Sequence, residues 1–229
     1  SWGVSTRLIG GLVMTHGDDD GLALPPKLAP AHVVILPIYR NDEEKAQVMP
    51  YCATLERELA AQSFAGEAVR VRIDNRDLRG GDKKWQWVKR GVPVRAEIGP
   101  RDVASGKVFY GRRDSTGKFD APRAEFITHI AKTLDEIQRA LYDRAVKTRE
   151  AATVRLDSLD DFEAFFASKD EEKTEGGGLA YCHFVESPEM EEKLKALKVT
   201  VRCVPLNAPE EAGACVFTGR PSARRASGR

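Results

Sequence analysis

Residues 91–114, GVPVRAEIGPRDVASGKVFYGRRD, leave the backbone few choices. Two short apolar segments with charges at alternate positions flank Gly99, Pro100, Ser105 and Gly106, residues that favour turns, so the stretch predicts a pair of strands. In the first strand Val92, Val94, Ala96 and Ile98 fall on one side and Pro93, Arg95 and Glu97 on the other, because successive side chains alternate. One face is expected in the core and the other to carry charge. Arg95, Glu97, Arg101, Asp102, Arg112, Arg113 and Asp114 bring guanidinium forks and carboxylates of both signs together. Such a set suits base edges better than phosphate alone, although mixed charges on an edge hairpin also pair with each other.

The segments around this hairpin alternate in type. Residues 32–38 (HVVILPI) form a nearly continuous apolar run, as in a strand covered on both faces. A helix is expected over 43–62 with Pro50 as a kink, a strand over 69–74, a short helix over 82–90, and a long helix over 122–150 with Phe126, Ile130, Leu134, Ile137 and Leu141 in register. The order β-α-β-α-β-β-α implies an α/β fold, a mixed sheet with helices on its faces. Trp85 and Trp87, two apart, should point in different directions, one buried and one at the surface, where it could stack on an unpaired base. Lys83 and Lys84 at that helix's start oppose the macrodipole, which a nearby phosphate would explain.

Whole-chain charge decides little, because the net over 229 residues is +1. Its distribution is uneven: residues 70–118 hold fourteen Lys or Arg against six Asp or Glu, and 157–175 hold eight acids against two lysines. No apolar run approaches the roughly 20 residues of a membrane helix. Four cysteines, at 52, 182, 203 and 215, with no CxxC, suit a reducing compartment, so a cytoplasmic protein without membrane contact is expected. The chain opens on Ser1, which suggests that an N-terminal part is missing.

Near the start, Ser5 or Thr6 can cap a helix to about His16 with Leu8, Ile9, Leu12 and Val13 on one apolar face. Asp18, Asp19 and Asp20 could ligate magnesium, though three acids before a glycine more often make a turn or hold backbone N–H groups. Pro25, Pro26 and Pro30 mark a boundary. Beyond residue 156, Ser158 caps a helix through 165, and an acidic linker covers 171–178. Then follow a strand over 179–184, a helix from Ser187-Pro188 to about Leu197, and strands over 199–204 and 214–217. Cys182, His183, Cys203 and Cys215 could in principle bind zinc, but 182 and 183 are strand neighbours that point opposite ways, and buried free cysteines are expected.

GVPVRAEIGPRDV with the following GRRD resembles the anticodon-binding domain of prolyl-tRNA synthetases, particularly the archaeal and eukaryote-like type that some bacteria carry. The opening SWGVSTRLIGGLVMTHGDDDGLALPPKLAP is similar to the third class II catalytic motif and its exit. The resemblance runs almost end to end. It implies the end of a catalytic domain over 1–30, an anticodon-binding domain with a mixed five-stranded sheet over 31–152, and a smaller α+β C-terminal domain over 153–229. It implies that Ser5 and Arg7 contact ATP and that Trp2 and Gly3 line a proline pocket. Lys83, Glu97, Arg101, Asp102, Arg112, Arg113 and Asp114 would face the anticodon. The complete enzyme would be a homodimer that activates proline with ATP and magnesium and transfers it to tRNA(Pro), whose anticodon has guanines at its second and third positions; this chain alone would not aminoacylate. The family's cysteine-ligated zinc, with its C-x-x-C-G ending, is not expected, because Cys215-Val216-Phe217-Thr218-Gly219 has threonine in the last ligand's place. The family's terminal aromatic residue is also missing from Ala226-Ser227-Gly228-Arg229. A stand-alone RNA-binding module without chemistry is the alternative.

Overall fold

A computed structural model describes residues 3–167 and 178–229. Two compact units follow each other, Ser1–Ala145 and Val146–Arg229.

In the first unit the apolar run becomes β1 (Val33–Pro37), buried along its whole length. It is flanked by parallel neighbours β2 (Val71–Ile73) and β3 (Val94–Ile98). Antiparallel strands β4 (Lys107–Arg112) and β5 (Lys118–Pro122) complete the sheet, in the order β2-β1-β3-β4-β5. One face carries Val33, Ile35, Val94, Ala96, Ile98 and Val108. Against it pack α2 (Asp42–Ala60) through Val48, Cys52, Leu55 and Leu59, and α5 (Arg123–Ala151) through the five apolar residues at helical spacing. Asn41 starts α2 by accepting from the Glu44 N–H at 2.8 Å, with three acids in the first turn where the dipole favours them. The other face carries Ala31, Val34, Leu36 and Val92 beneath Trp87 of α3 (Gly80–Lys89). Helices lie on both faces of β3, which buries Arg95 and leaves Glu97 partly exposed, so the expected charged face is largely covered and opens only as a cleft.

One feature of this unit departs from the sequence reading. The expected turn at 99–106 contains a helix, α4 (Pro100–Ser105). Pro100 supplies a preset first turn and the Asp102 carboxylate accepts from the Gly99 N–H at 2.8 Å, so the capping residues start a helix rather than reverse the chain. The edge strand β5 is the fifth strand that the resemblance implies; the residue pattern alone does not mark it, because KFDAP is short, largely exposed and ends in proline.

Before the sheet, α1 (Arg7–His16) buries none of its residues, and Leu8, Ile9, Val13 and Met14 stand exposed, Met14 by 83%. A two-residue ribbon, Gly17–Asp18 with Gly21–Leu22, follows. It closes on the end of α3, where Gly21 and Gly91 both have positive φ; a Cβ on Gly21 would lie 2.6 Å from the Lys89 Cα and one on Gly91 2.7 Å from the Leu22 carbonyl oxygen.

In the second unit, β6 (Thr153–Arg155), β7 (Leu179–His183), β8 (Val201–Cys203) and β9 (Arg225–Gly228) form a sheet in the order β6-β7-β9-β8, parallel only at β6-β7. Helices α6 (Leu159–Phe166) and α7 (Pro188–Ala196) begin at Ser158 and Ser187, whose hydroxyls accept from the Asp161 and Met190 N–H groups. Phe162, Ala180, Cys182, Met190, Leu194 and Val199 form its core. Most of the acidic linker expected at 171–178 lies outside the described residues.

Candidate nucleic-acid interface

On the α3 side of the sheet, β3 and β4 place Arg95 opposite Gly111 and Glu97 opposite Phe109. These four residues line a cleft of 540 Å³, and α3 adds Lys84 and Trp85 to its wall. Trp85 is 45% exposed and Trp87 is buried, the split the two-residue spacing implies. Asp74, just after β2, fixes α3: its carboxylate accepts from Trp87 Nε1 at 2.8 Å and from Arg76 twice, at 2.7 and 2.8 Å. The Arg76 guanidinium, offset by burial and helped by Trp87, holds the Asp74 carboxyl well below the usual carboxylate range.

Most of the charged residues singled out in the sequence are matched within the fold. Arg112 donates to Asp114 at 2.8 and 3.0 Å and to Glu136 at 2.8 Å. Arg113 joins the hairpin to the ribbon: Nη1 meets Asp18 at 2.7 Å, Nε the Val88 carbonyl and Nη2 the Gly21 carbonyl, both at 3.2 Å. Its hydrogen bonds pull the Asp18 carboxyl down. Asp18 also accepts from the Asp20 N–H at 3.0 Å, so the acidic run makes a turn and an arginine clamp. Lys84 pairs with Glu97 at 2.7 Å, and Lys83, 3% exposed, donates to the Asp74 carbonyl at 3.2 Å. Those contacts give the two lysines at the helix start partners within the fold. Lys83 therefore has its ammonium inside the fold, and the picture of an open set of forks and carboxylates is corrected to a largely self-paired network.

Arg101 differs. It is exposed on α4, forms no ion pair among the described residues, and lines a second cleft of 520 Å³ that shares Glu97 and Phe109 with the first. Asp102 lines it too while capping α4. A cleft residue that sequence reasoning misses is Phe109, with Lys118 Nζ 5.9 Å above its ring. An aromatic beside alternating charges was the available signal.

Of the residues assigned by resemblance to ATP and proline, Gly3, Ser5 and Arg7 line neither of these clefts. The Ser5 hydroxyl accepts weakly from the Arg7 N–H at 3.4 Å, Arg7 is exposed, and Gly3 has open space around it. Trp2 lies outside the described residues. Among the described residues no three His, Cys, Asp or Glu side chains group as metal ligands, and no helix is long and apolar enough to cross a membrane.

The mixed sheet sandwiched by helices, with a charged cleft beside its antiparallel hairpin, falls within the match to a family model described as "Anticodon binding domain", which covers residues 32–133. The chain as a whole has homologues that are proline--tRNA ligases. It is 52% identical over 99% of its length to "Proline--tRNA ligase" of Rhodopirellula baltica and 50% identical over 98% to that of Bdellovibrio bacteriovorus. "Proline--tRNA ligase 2" of Anaeromyxobacter dehalogenans is 48% identical over 98% of the chain. The chain spans 44 to 46% of the length of these curated relatives.

Proposed function

We propose that this chain is the anticodon-reading part of a proline-tRNA ligase, a ligase that activates proline with ATP and transfers it to tRNA(Pro). The observation that carries this reading is the pair of adjoining clefts on the anticodon-binding domain, floored by Glu97 and Phe109 and edged by the exposed Arg101. Guanine presents O6 and N7 as acceptors and N1 and N2 as donors, so an arginine fork and a carboxylate together read it, and an aromatic ring stacks on it. Arg101, Glu97 and Asp102 are the base- or backbone-facing residues of this proposal. Arg112 and Asp114 shape the cleft by pairing with each other, Arg113 does so by holding Asp18, and Lys83 supports α3.

The apolar face of α1 supports the ligase over a stand-alone module, since four large exposed apolar side chains call for a partner surface. In this reading residues 1–30 end a catalytic domain that covers α1, Ser5 and Arg7 meet ATP with its magnesium, and Trp2 and Gly3 meet proline. The anticodon domain runs over 31–152 and a C-terminal domain over 153–229, in a homodimeric cytoplasmic enzyme.

The test is filter binding of tRNA(Pro) against transcripts with either anticodon guanine replaced. The reading expects a loss of roughly 1 to 3 kcal/mol per replaced guanine, and Arg101→Ala should relax the preference at one of them. Equal loss toward every tRNA would make Arg101 a phosphate contact. Equal affinity of the unaltered protein for all anticodons would refute the function.

A further inference from the structure

Much of the positive charge of residues 70–118 is neutralised in the hairpin cleft, where Lys84, Arg112 and Arg113 are held by Glu97, Asp114 and Asp18. Across α3 the balance is different. Lys84, Trp85 and Val88 face the hairpin cleft, whereas Trp87 and Arg90 turn to the opposite flank, as 3.6 residues per turn requires. On that flank a groove of 510 Å³ between α3 and β2 carries Arg72, Arg76 and Arg90 against one carboxylate, Asp74.

These charges are unequally occupied. Arg76 is committed to Asp74 at 2.7 and 2.8 Å and to the Gln86 side-chain oxygen at 2.6 Å. Asp74, its side chain 1% exposed, also accepts from Trp87 Nε1, so it has nothing left for a second arginine. Arg72 and Arg90 are exposed, and their guanidinium groups form no hydrogen bond or ion pair among the described residues. Arg90 lies over the Trp87 ring, its Cζ 4.8 Å from the centroid. That stacking orients the guanidinium plane and uses none of its N–H groups, so the donors are held ready in a fixed direction.

The surroundings say what kind of ligand fits. The groove offers two open guanidinium groups, no open carboxylate to accept from a base, and an aromatic ring that is itself buried and covered by Arg90. Such a set matches phosphate oxygens and reads no base edge. Among the described residues β2 pairs only with β1, so the groove lies at an open edge of the sheet along which a polyanion can pass.

We propose that Arg72 and Arg90 form a sequence-independent groove for the phosphate backbone of RNA, on the flank of α3 away from the hairpin. The proposal rests on the anticodon reading above for the identity of the RNA. Arg76 and Asp74 set the groove's wall, and Trp87 aims Arg90.

The experiment measures the affinity of the full-length protein for a tRNA(Pro) transcript, and for transcripts with either anticodon guanine replaced by adenine, as a function of salt. Each phosphate contact contributes about 0.7 to 0.9 to the slope of log affinity on log salt, which is about 5- to 8-fold in affinity at about 0.1 M. Arg72→Gln and Arg90→Gln should each lower the slope by about that amount and lose the same factor toward every transcript. Arg90→Lys, which keeps the charge, should keep the slope. Arg139→Gln, on α5 against the other face of the sheet and paired with Asp143, should leave it unchanged. Should Arg90→Gln disturb Trp87 and the fold, Arg72→Gln alone carries the measurement. A slope unchanged by both substitutions, or lowered as much by Arg139→Gln, would overturn the proposal, and a loss confined to guanine-bearing transcripts would overturn it in favour of a base contact. An unaltered protein that binds every anticodon equally, while Arg72→Gln and Arg90→Gln still lower the slope, would sink the anticodon reading and leave the groove standing.

Discussion

Asp74→Ala tests how the cleft wall is held. The carboxylate side chain is 1% exposed and accepts from Trp87 Nε1 and twice from Arg76, while the Asp74 carbonyl receives Lys83. Truncation leaves the buried indole N–H without an acceptor, worth about 1 to 3 kcal/mol, and removes charge-assisted bonds to an arginine that is itself partly exposed and so contributes less. The expected loss is about 2 to 4 kcal/mol of stability in the first unit. Urea unfolding followed by tryptophan emission measures it, since all three tryptophans, at 2, 85 and 87, fall in that unit. A double-mutant cycle with Trp87→Phe should show a coupling of about 1 to 2 kcal/mol. Because the folded carboxyl is held below its ordinary value, the contribution is complete above about pH 4 and declines as the pH falls further. Asp74→Asn should lack that acid dependence. A midpoint unchanged by Asp74→Ala, or no coupling to Trp87, would refute this account of how α3 is anchored.

His32 supplies a second acid limit. Burial, with Arg70 adding to it, lowers its pKa to about 4, so the unfolded chain takes up the proton first as pH falls below about 6.5. Stability should drop by up to about 3 kcal/mol between pH 6.5 and 4 in urea titrations, and His32→Asn should flatten that slope. Arg113→Met should cost about 2 kcal/mol in the same assay, since it strips four bonds between the hairpin, the ribbon and α3. The exposed Lys107 and Asp120 pair, by contrast, should show no measurable effect when either partner is removed. Native maleimide labelling should modify Cys203 first, because burial pushes the Cys52 thiol up to about 12 and the Cys182 thiol up to about 11.

The backbone plan was legible where one physical signal dominated. The apolar run at 32–38 announced the central strand, and the 3.6-residue spacing from Phe126 to Leu141 announced α5. Strands without an apolar signature escaped: β5 is an exposed edge, β6 is three residues long, and β9 reads RASG. Gly99-Pro100-Arg101-Asp102 resembles a turn in sequence because turns and helix starts use the same residues. The candidate site was legible in composition and not in pairing. That Arg113 meets Asp18, 95 residues away, or that Lys84 takes Glu97, depends on the fold bringing distant segments together. Arg95 shows the limit most sharply, since alternation correctly set it apart from the apolar side but could not reveal that α3 would cover it.

The strand order of the second unit carries a consequence for its assembly. Among the described residues β8 hydrogen-bonds only to β9, and β9 also zips along β7 from Ala180 to His183, so Arg225–Gly228 is the keystone of this sheet. Until Arg225–Gly228 has left the ribosome, β7 has one bare edge and β8 no sheet to join. A nascent or proteolytically clipped chain missing those four residues would therefore expose open strand edges in place of a closed module.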